Sequence, residues 1–291
     1  MRQYSRFTPY LYVLPLVLLL AFVFGYPLVR IFEFSFKLVR GIDGPWIGFR
    51  NYDLILGQDL FWDSVRHNLF LLLAVPAMVI WSLLISIVLY ERIKGWKLYR
   101  IVLFFPYILA IPIIAVVMKK MFQLSGPVNE VLNGLHLDFL ALDWIGSSDV
   151  ALWTVMLLII WRESALGIIL FLARLLSLPG DLYEAIKVDG AGFWRSHWHV
   201  TLPMMRSIIG FYVVIEGITL FSWVFSYVYV MTRGGPGDAT QVTETYIYDN
   251  AFTSDIPWLA ASAATVLLLG FLVLAAAFLV FRAVLPKRSL G

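Results

Sequence analysis

Three charged residues inside long apolar stretches have the types and positions that could do chemistry. Arg162 and Glu163 interrupt the apolar stretch 151–173, and Glu216 interrupts the stretch 207–231. A charged side chain at the centre of a bilayer costs about 2.5–3.5 kcal/mol on insertion scales, so it usually faces protein or a watery cavity and finds a partner. Two interpretations stay open: a structural ion pair of Arg162 with either glutamate, or a polar site for a ligand.

The stretch 207–231 carries a helical face suited to sugar recognition. Glu216, Thr219, Trp223 and Tyr227 recur at helical spacing, and we expect their side chains to share one face. Carboxylates accept hydrogen bonds from hydroxyl groups, and aromatic rings pack on the apolar face of a pyranose. This face therefore favours a polyhydroxylated ligand.

Catalytic groups and metal ligands do not occur in the patterns that enzymes need. The chain has no Cys, which excludes a thiolate, and no Gly-Lys dipeptide, which excludes a phosphate loop of the Walker type. His197 and His199 form the only close His pair, and no further metal ligand lies near them in sequence. We predict that they and the neighbouring Trp194 and Trp198 are anchors at the membrane interface. The chain is predicted to be no enzyme, with no catalytic residue and no bound metal or cofactor.

The composition is that of a polytopic membrane protein. Hydrophobic residues make up 61% of the 291 residues, charged residues only 14%, and the mean hydropathy is +0.84. The formal net charge of +3 is too small to indicate a nucleic-acid partner.

Six apolar stretches have the length of about 20 residues that a helix needs to cross a bilayer. We predict an all-α fold with six transmembrane helices in a single domain, residues 1–291, with boundaries uncertain by about two to four residues. The predicted spans are residues 9–29, 68–90, 101–122, 151–173, 207–231 and 258–285. Five prolines in or at the ends of spans are predicted to make simple kinks: Pro15, Pro27, Pro76, Pro106 and Pro112.

The distribution of Lys and Arg predicts the orientation of these spans. Six spans place both termini on one side, and 13 Lys and Arg residues fall on that side against 8 on the other. Because cytoplasmic loops carry the excess of positive residues, both termini are predicted to be cytoplasmic, as is the loop 179–203. The expected location is the inner cell membrane.

The loop 179–203 is predicted to form two short helices. Pro179 and Asp181 suit the first turn of a helix, and Gly190 suits its end, because Gly adopts the left-handed conformation of a helix cap. A second short helix is predicted from Phe193 to about Val200, ended by Leu202-Pro203, since Pro disfavours helical geometry in the preceding residue. The alternative to this pair of helices is an ordinary loop at the membrane interface.

The residues of this loop have the spacing of a known motif. Glu184-Ala185-Ile186, three residues, Gly190, nine residues, Val200, one residue and Leu202-Pro203 follow in order. The pattern resembles the cytoplasmic coupling loop of permease subunits from ATP-binding-cassette importers, in which Glu-Ala-Ala begins the motif, so that Ile186 is a departure. The segment Thr232-Arg233-Gly234-Gly235-Pro236 with Thr240 looks like the one after the fifth core span in carbohydrate importers of the maltose-transporter type. The resemblance covers most of the chain.

This resemblance implies a type I importer permease fold and partners in the membrane and on both of its sides. The implied partners are a second, homologous permease subunit, two cytoplasmic ATPase subunits that use ATP and Mg, and an extracytoplasmic solute-binding protein. Closure of the ATPase pair would pull the coupling loops together and open the path outward to a sugar. No nucleic-acid partner is expected.

The resemblance also implies roles for particular residues. The implied residues of ATPase coupling are Glu184, Ala185, Asp189, Gly190, Ala191, Leu202 and Pro203. The implied candidates for the substrate path are Arg162, Glu163, Leu166, Glu216, Gly217, Phe221, Trp223 and Tyr227. The charged side chains depart from the more neutral family pattern, which leaves specificity open.

Two alternative functions stay open at this point. Permeases that import glycerol-3-phosphate or glycerophosphodiesters look similar at this level, and Arg162 could attract an anion, whereas Glu163 and Glu216 argue against one. A secondary transporter or a membrane enzyme that needs no ATPase would have no reason for the spacing of the loop 184–203.

Overall fold

The computed structural model describes residues 8–181, 183, 186, 190 and 192–284. Within these ranges the chain is helical, and the extended contacts are the isolated bridges of Lys37 with Trp46 and of Arg40 with Asp43. The predicted all-α fold is confirmed.

Helices account for most of the described residues and follow one another along the chain. The α-helices are α1 Thr8–Leu20, α2 Tyr26–Phe34, α3 Arg50–Leu56, α4 Asp59–Leu71, α5 Ala74–Tyr90, α6 Trp96–Ile108, α7 Ile111–Met121, α8 Pro127–Gly134, α9 Ala151–Leu176, α10 Phe193–Ser196, α11 Leu202–Met231, α12 Thr243–Tyr248 and α13 Pro257–Val284. Wider π-helical turns cover Ala21–Gly25, His197–Thr201 and Asp249–Thr253, and a 3-10 turn covers Asp138–Leu140.

Four helical stretches of the described chain are long and apolar enough to cross a membrane. They are Tyr10–Phe34, Asp59–Tyr90, Ala151–Leu176 and Phe193–Met231, and they overlap the predicted spans 9–29, 68–90, 151–173 and 207–231. The bent pair α6 and α7 would make a fifth span if it is counted as one, and the apolar part Pro257–Val273 of α13 is shorter. The number of six spans therefore stays a prediction.

The predicted span 101–122 is a broken helix, and a simple kink does not describe it. Helices α6 and α7 meet at an angle of 104°. Leu109 and Ala110 between them have extended backbones with ψ of 141° and 140°. Pro106 lies inside α6 and Pro112 near the start of α7. A proline removes a backbone donor, so two prolines this close free several carbonyl groups and make a full break inexpensive.

The chain divides into two compact units, one formed by the residues up to Trp62 and from Tyr246 onward, the other by Asp63–Thr245. In the first unit, the buried Asn51 amide donates hydrogen bonds to the carbonyl groups of Ser35 and Lys37 at 2.9 and 3.0 Å. The Ser262 hydroxyl donates to the Ser35 carbonyl at 3.3 Å. These polar contacts tie the loop after α2 to α3 and α13.

In the second unit, small residues allow α5, α9 and α11 to pack closely around one core. A Cβ atom on Gly167 would lie 2.5 Å from Oγ of Ser82 on α5 and 2.7 Å from a ring atom of Tyr212 on α11. The Ser82 hydroxyl donates to the Ser164 carbonyl at 2.9 Å. Small residues and interhelical hydroxyl bonds are the usual means of helix association in membranes, since burial from lipid supplies little driving force.

The predicted end of a short helix at Leu202-Pro203 is wrong. Leu202 keeps a helical backbone with φ −58° and ψ −48°, and the helical stretch runs without a break from Phe193 to Met231. The π turn His197–Thr201 precedes the proline, and the N–H of Leu202 donates to the His197 carbonyl five residues earlier. This wider turn lets the chain continue as a helix through Pro203, whose missing donor would disrupt a regular α-helical turn.

Candidate functional site

A cleft of about 460 Å³ opens in the second unit beside the break between α6 and α7. The break supplies one wall, the middle of α9 a second, and α11 a third. The lining residues are Tyr107, Ala110, Ile111, Pro112, Arg162, Glu163, Thr219, Trp223 and Ser226. The cleft thus combines one ion pair, the hydroxyl-bearing side chains of Tyr107, Thr219 and Ser226, and the indole ring of Trp223, a residue that is 56% exposed.

Arg162 connects the three walls. Its Nη1 donates to Oε1 of Glu163 at 2.5 Å and to the Tyr227 hydroxyl at 3.2 Å. Its Nη2 donates to the carbonyl groups of Tyr107 and Leu109 at 3.2 and 2.9 Å, and the guanidinium lies 5.1 Å from the centre of the Tyr107 ring. Both carbonyls belong to the segment where the helix breaks. The break frees acceptors, and the fork of guanidinium donors satisfies them.

Glu163 holds α9 to α11. The Tyr227 hydroxyl donates to Oε1 of Glu163, the oxygen that also accepts from Arg162. The Tyr212 hydroxyl donates to the backbone carbonyl of Glu163 at 3.1 Å. Glu163, Tyr212 and Tyr227 are all at least 98% buried. We call the cluster of Arg162, Glu163, Tyr227 and the two carbonyls of the break the arginine cluster.

Glu216 is fully buried next to this cluster without joining it. Its exposed fraction is 0%, and neither carboxyl oxygen has a hydrogen-bond partner within the described residues. Of the two ion pairs considered from the sequence, the structure contains Arg162 with Glu163. A buried polar group without a partner is costly, so Glu216 is a feature of this chain that calls for a functional or conformational explanation.

The structure gathers only some of the predicted path residues at the cleft. Arg162, Glu163 and Trp223 line it, and Tyr227 lies directly behind through its bonds to the first two. Leu166 packs against the core, while Glu216, Gly217 and Phe221 are not among the lining residues. The four residues of the predicted common face of α11 differ in their surroundings, because Thr219 and Trp223 line the cleft whereas Glu216 and Tyr227 are buried.

Sequence reasoning missed the wall made by Tyr107, Ala110, Ile111 and Pro112. Two prolines six positions apart inside one predicted span were the available signal. A break that exposes backbone at membrane depth is tolerated only where protein covers it or where it lines a cavity. Reading the pair Pro106 and Pro112 as a break would have pointed to this wall.

The coupling loop is described only in part. Glu184, Ala185, Asp189 and Ala191 lie outside the described residues. Gly190 has φ +74°, the left-handed conformation expected of it, and Leu202 and Pro203 belong to the continuous helix described above.

A second polar cluster lies at this end of the unit. The Thr201 hydroxyl is fully buried and shares hydrogen bonds of 2.8 Å with the Tyr183 hydroxyl and with Nδ1 of His197. Nε2 of His197 lies 3.8 Å from a carboxyl oxygen of Glu91 at the end of α5. We call Thr201, Tyr183, His197 and Glu91 the threonine cluster.

The prediction that His197 is an interfacial anchor is wrong. Its side chain is 95% buried and packs edge-on against the Phe193 ring at 4.4 Å. Trp194 and Trp198 are each 70% exposed, as an anchor requires. His197 points inward because its ring nitrogens find partners on the interior side of the π turn.

Comparison with known proteins gives a family. The model of the family "Binding-protein-dependent transport system inner membrane component" matches residues 69–289. A similar chain is the sulfoquinovosyl glycerol transport system permease protein SmoG of Agrobacterium fabrum, 30% identical over 84% of this chain and 80% of that protein. Another is the diacetylchitobiose uptake system permease protein NgcF of Streptomyces coelicolor, 32% identical over 72% of this chain and 63% of that one. The probable permease protein YurN of Bacillus subtilis is 28% identical over 91% of this chain and 92% of its own.

The fold has a solved counterpart. A chain in the crystal structure of a bacterial importer of the acidic polysaccharide alginate superposes with a TM-score of 0.78, is 22% identical, and covers 95% of both chains. At 22% identity, this similarity shows that the two chains share a fold.

Proposed function

The chain belongs to the family of binding-protein-dependent transport system inner membrane components, and from this premise we propose that it is a permease subunit of an ATP-driven importer of a sugar or oligosaccharide. The relatives named for transport of diacetylchitobiose, lactose and multiple sugars support a saccharide substrate. The observation that carries the proposal is the cleft, which the exposed Trp223 lines together with a carboxylate and three hydroxyl-bearing side chains. These are the groups that recognise a polyhydroxylated ring.

The proposed assembly contains the chain, a second permease subunit, two cytoplasmic ATPase subunits and a solute-binding protein outside the membrane. Both termini and the loop 179–203 face the cytoplasm. ATP and Mg act at the ATPase subunits. The structure of the alginate importer with its periplasmic protein, to which this chain is 22% identical, supports a receptor of the same kind here.

In this assembly the residues Glu184–Pro203 transmit motion from the ATPase to the cleft. The continuous helix Phe193–Met231 supports that role, because it carries the end of the coupling loop at one end and Thr219 and Trp223 further along. A rigid helix moves as one body, so closure of the ATPase pair would shift the α11 wall of the cleft. Outward opening would admit a sugar from the docked receptor, and hydrolysis would reset the path.

The alternatives are not favoured. A glycerol-phosphate importer would need cationic groups for its anion, and among the described residues the only cation that lines the cleft is Arg162, which pairs with Glu163. A secondary transporter or membrane enzyme would have no use for the coupling loop.

The proposal is tested by reconstituting the chain with its genomically neighbouring subunits in lipid nanodiscs. ATPase activity is measured with the solute-binding protein and a panel of saccharides. We expect one saccharide to stimulate hydrolysis, and uptake into proteoliposomes to follow it. A purified chain that associates with no ATPase, or hydrolysis that no saccharide changes, would contradict the proposal.

The coupling role is tested by a matched pair of glycine substitutions. Gly190 has φ +74°, which a branched residue adopts only with strain, whereas Gly192 has the ordinary φ of −72°, and a Cβ atom at either position meets no atom within 4 Å. We expect Gly190→Val to reduce saccharide-driven uptake at least about tenfold while the complex still assembles, since strain of about 1–3 kcal/mol distorts the loop. Gly192→Val is the control and should transport normally. Normal uptake with both variants would show that the conformation of this loop does not matter for transport.

A further inference from the structure

The charge of the cleft carries information about the class of saccharide. The charged residues among its lining are Arg162 and Glu163, which form an ion pair at 2.5 Å. A ligand that enters the cleft therefore meets an ion pair of no net charge. Which ligands bind there depends on which of the two side chains can still form hydrogen bonds.

Arg162 has little capacity left for a ligand. Its two terminal nitrogens make four hydrogen bonds, all to protein groups, and its Nε is buried without a partner in the described chain. Turning the guanidinium toward an anion would leave the carbonyl groups of Tyr107 and Leu109 unsatisfied at the helix break. Buried acceptors that lose their donors cost about 1–3 kcal/mol each, which opposes such a movement.

Glu163 lines the cleft and has one carboxyl oxygen without a hydrogen bond in the described chain. Its side-chain hydrogen bonds within the described residues all involve Oε1, so Oε2 is available to accept from a ligand. The cleft also presents the hydroxyl groups of Thr219 and Ser226 and the face of Trp223. A sugar hydroxyl can donate to Oε2, whereas a carboxylate, sulfonate or phosphate group has only acceptors and meets a like charge.

Glu216 increases this bias. Glu216 is buried one helical turn before Thr219. Together, Arg162, Glu163 and Glu216 have a net charge of −1 when both carboxyl groups are ionised. Their net charge is 0 when one carboxyl group is protonated. The set is not positive in either state. Juxtaposing like charge is an effective way to reject a ligand that otherwise has the right shape.

We propose that the cleft selects uncharged saccharides over acidic ones, with Glu163 as the residue that determines this specificity. Glu163 accepts a hydroxyl hydrogen of the ligand through Oε2, and Trp223 packs on the apolar face of the ring. The proposal rests on the proposed function and narrows its substrate class. It sets this chain apart in substrate from the importer of the acidic polysaccharide alginate, with which it shares the fold.

The test compares pairs of ligands that differ only in charge. The complete transporter in nanodiscs, without solute-binding protein, is titrated with methyl glycosides of glucose, galactose and mannose and with the corresponding methyl uronides, and binding is followed by saturation-transfer NMR. We expect at least one neutral member to bind about tenfold or more tightly than its uronide. Trp223→Ala should abolish the signal of both.

Substitutions then identify the residue that discriminates between neutral and acidic ligands. Glu163→Gln removes the negative charge and keeps the shape, and we expect it to lower the preference for the neutral member severalfold. Glu130→Gln, at an exposed glutamate of α8, is the matched control and should leave the preference unchanged. If Glu163→Gln does not fold, the comparison of glycosides with uronides in the unmodified protein still tests whether the cleft selects uncharged saccharides.

Several results would overturn the proposal. They are a panel in which no neutral glycoside binds better than its uronide, binding that survives Trp223→Ala, and a preference that Glu163→Gln leaves unchanged. These results can occur while saccharide-loaded solute-binding protein still stimulates the ATPase, in which case only the charge selection fails. Loss of that stimulation for every saccharide would instead remove the proposed function itself.

Discussion

The arginine cluster and the threonine cluster are two polar centres on the same run of helix, and they are built differently. Tyr227 near the end of α11 belongs to the first, and Thr201 just before α11 belongs to the second. The arginine cluster contains an ion pair and two backbone carbonyls. The threonine cluster is centred on one hydroxyl shared by a tyrosine and a histidine.

The difference follows from the backbone around each cluster. At the arginine cluster the helix α6–α7 is broken, and freed carbonyls need strong donors, which only a side chain with several N–H groups supplies. At the threonine cluster the helix continues through a π turn, so that few backbone groups are freed. The guanidinium of Arg162 thus satisfies backbone acceptors at the broken helix, whereas the Thr201 hydroxyl beside the widened turn bonds to side chains.

The largest expected effect comes from Arg162→Met. The substitution leaves Glu163 without its counter-charge and the carbonyls of Tyr107 and Leu109 without donors. Breaking a buried ion pair from one side costs about 3–5 kcal/mol, so we expect a strongly lowered thermal unfolding midpoint of the purified complex. The double substitution Arg162→Met with Glu163→Gln should recover part of the loss. A midpoint equal to that of the unmodified protein would show that the ion pair does not hold the break.

A smaller effect is expected from Thr201→Val at the other cluster. Valine has nearly the same shape and lacks the hydroxyl, so Tyr183 and His197 each lose a partner. We expect a loss of about 1–3 kcal/mol in the free energy of unfolding and less uptake per ATP hydrolysed, because the helix end is less firmly held to Tyr183. Thr201→Ser keeps the hydroxyl and serves as the control. Should Thr201→Val cost as much as Arg162→Met, the contrast between the two clusters would be lost.

The smallest expected effect is that of Glu216→Gln. Neither carboxyl oxygen of Glu216 has a partner in the described chain, so replacing the group by an uncharged amide removes no recorded bond. We expect the unfolding midpoint to stay the same or to rise, with a change in free energy of about 1 kcal/mol or less. A decrease like that of Arg162→Met would mean that Glu216 and not Glu163 balances the guanidinium, which would reassign the ion pair.

Some of the site could be read from the residue types and some could not. Arg162 and Glu163 were identified because charges inside apolar stretches are rare and costly, and Trp223 because it recurs at helical spacing with Glu216. The partner of Arg162 was not predictable, since adjacent residues of a helix such as Arg162 and Glu163 do not ordinarily face each other, and the position of Glu216 depends on how two helices pack. The partners Tyr107, Leu109 and Tyr227 lie 53 to 65 positions away in sequence, where no periodicity relates them to Arg162.

Local signals were also overruled in places by packing. Pro203 predicts the end of a helix, and a wider preceding turn carries the helix through it. His197 stands beside two exposed tryptophans and is nevertheless buried, because Thr201 and Phe193 occupy its side of the turn. In both cases a neighbour within five residues changed the outcome, through a turn type that the pattern of residue types does not encode.

The sequence by itself determined that this protein is helical and that it belongs in a membrane, and it predicted which loop couples to an ATPase. These properties depend on the length and hydropathy of continuous stretches and on fixed spacing, both of which are local along the chain. Only the tertiary structure decided where a span breaks, which glutamate pairs with Arg162, and which residues of α11 face the cleft. Those outcomes depend on which distant acceptors and donors meet when the helices pack, because a buried polar group takes whichever partner the assembled helices bring within reach.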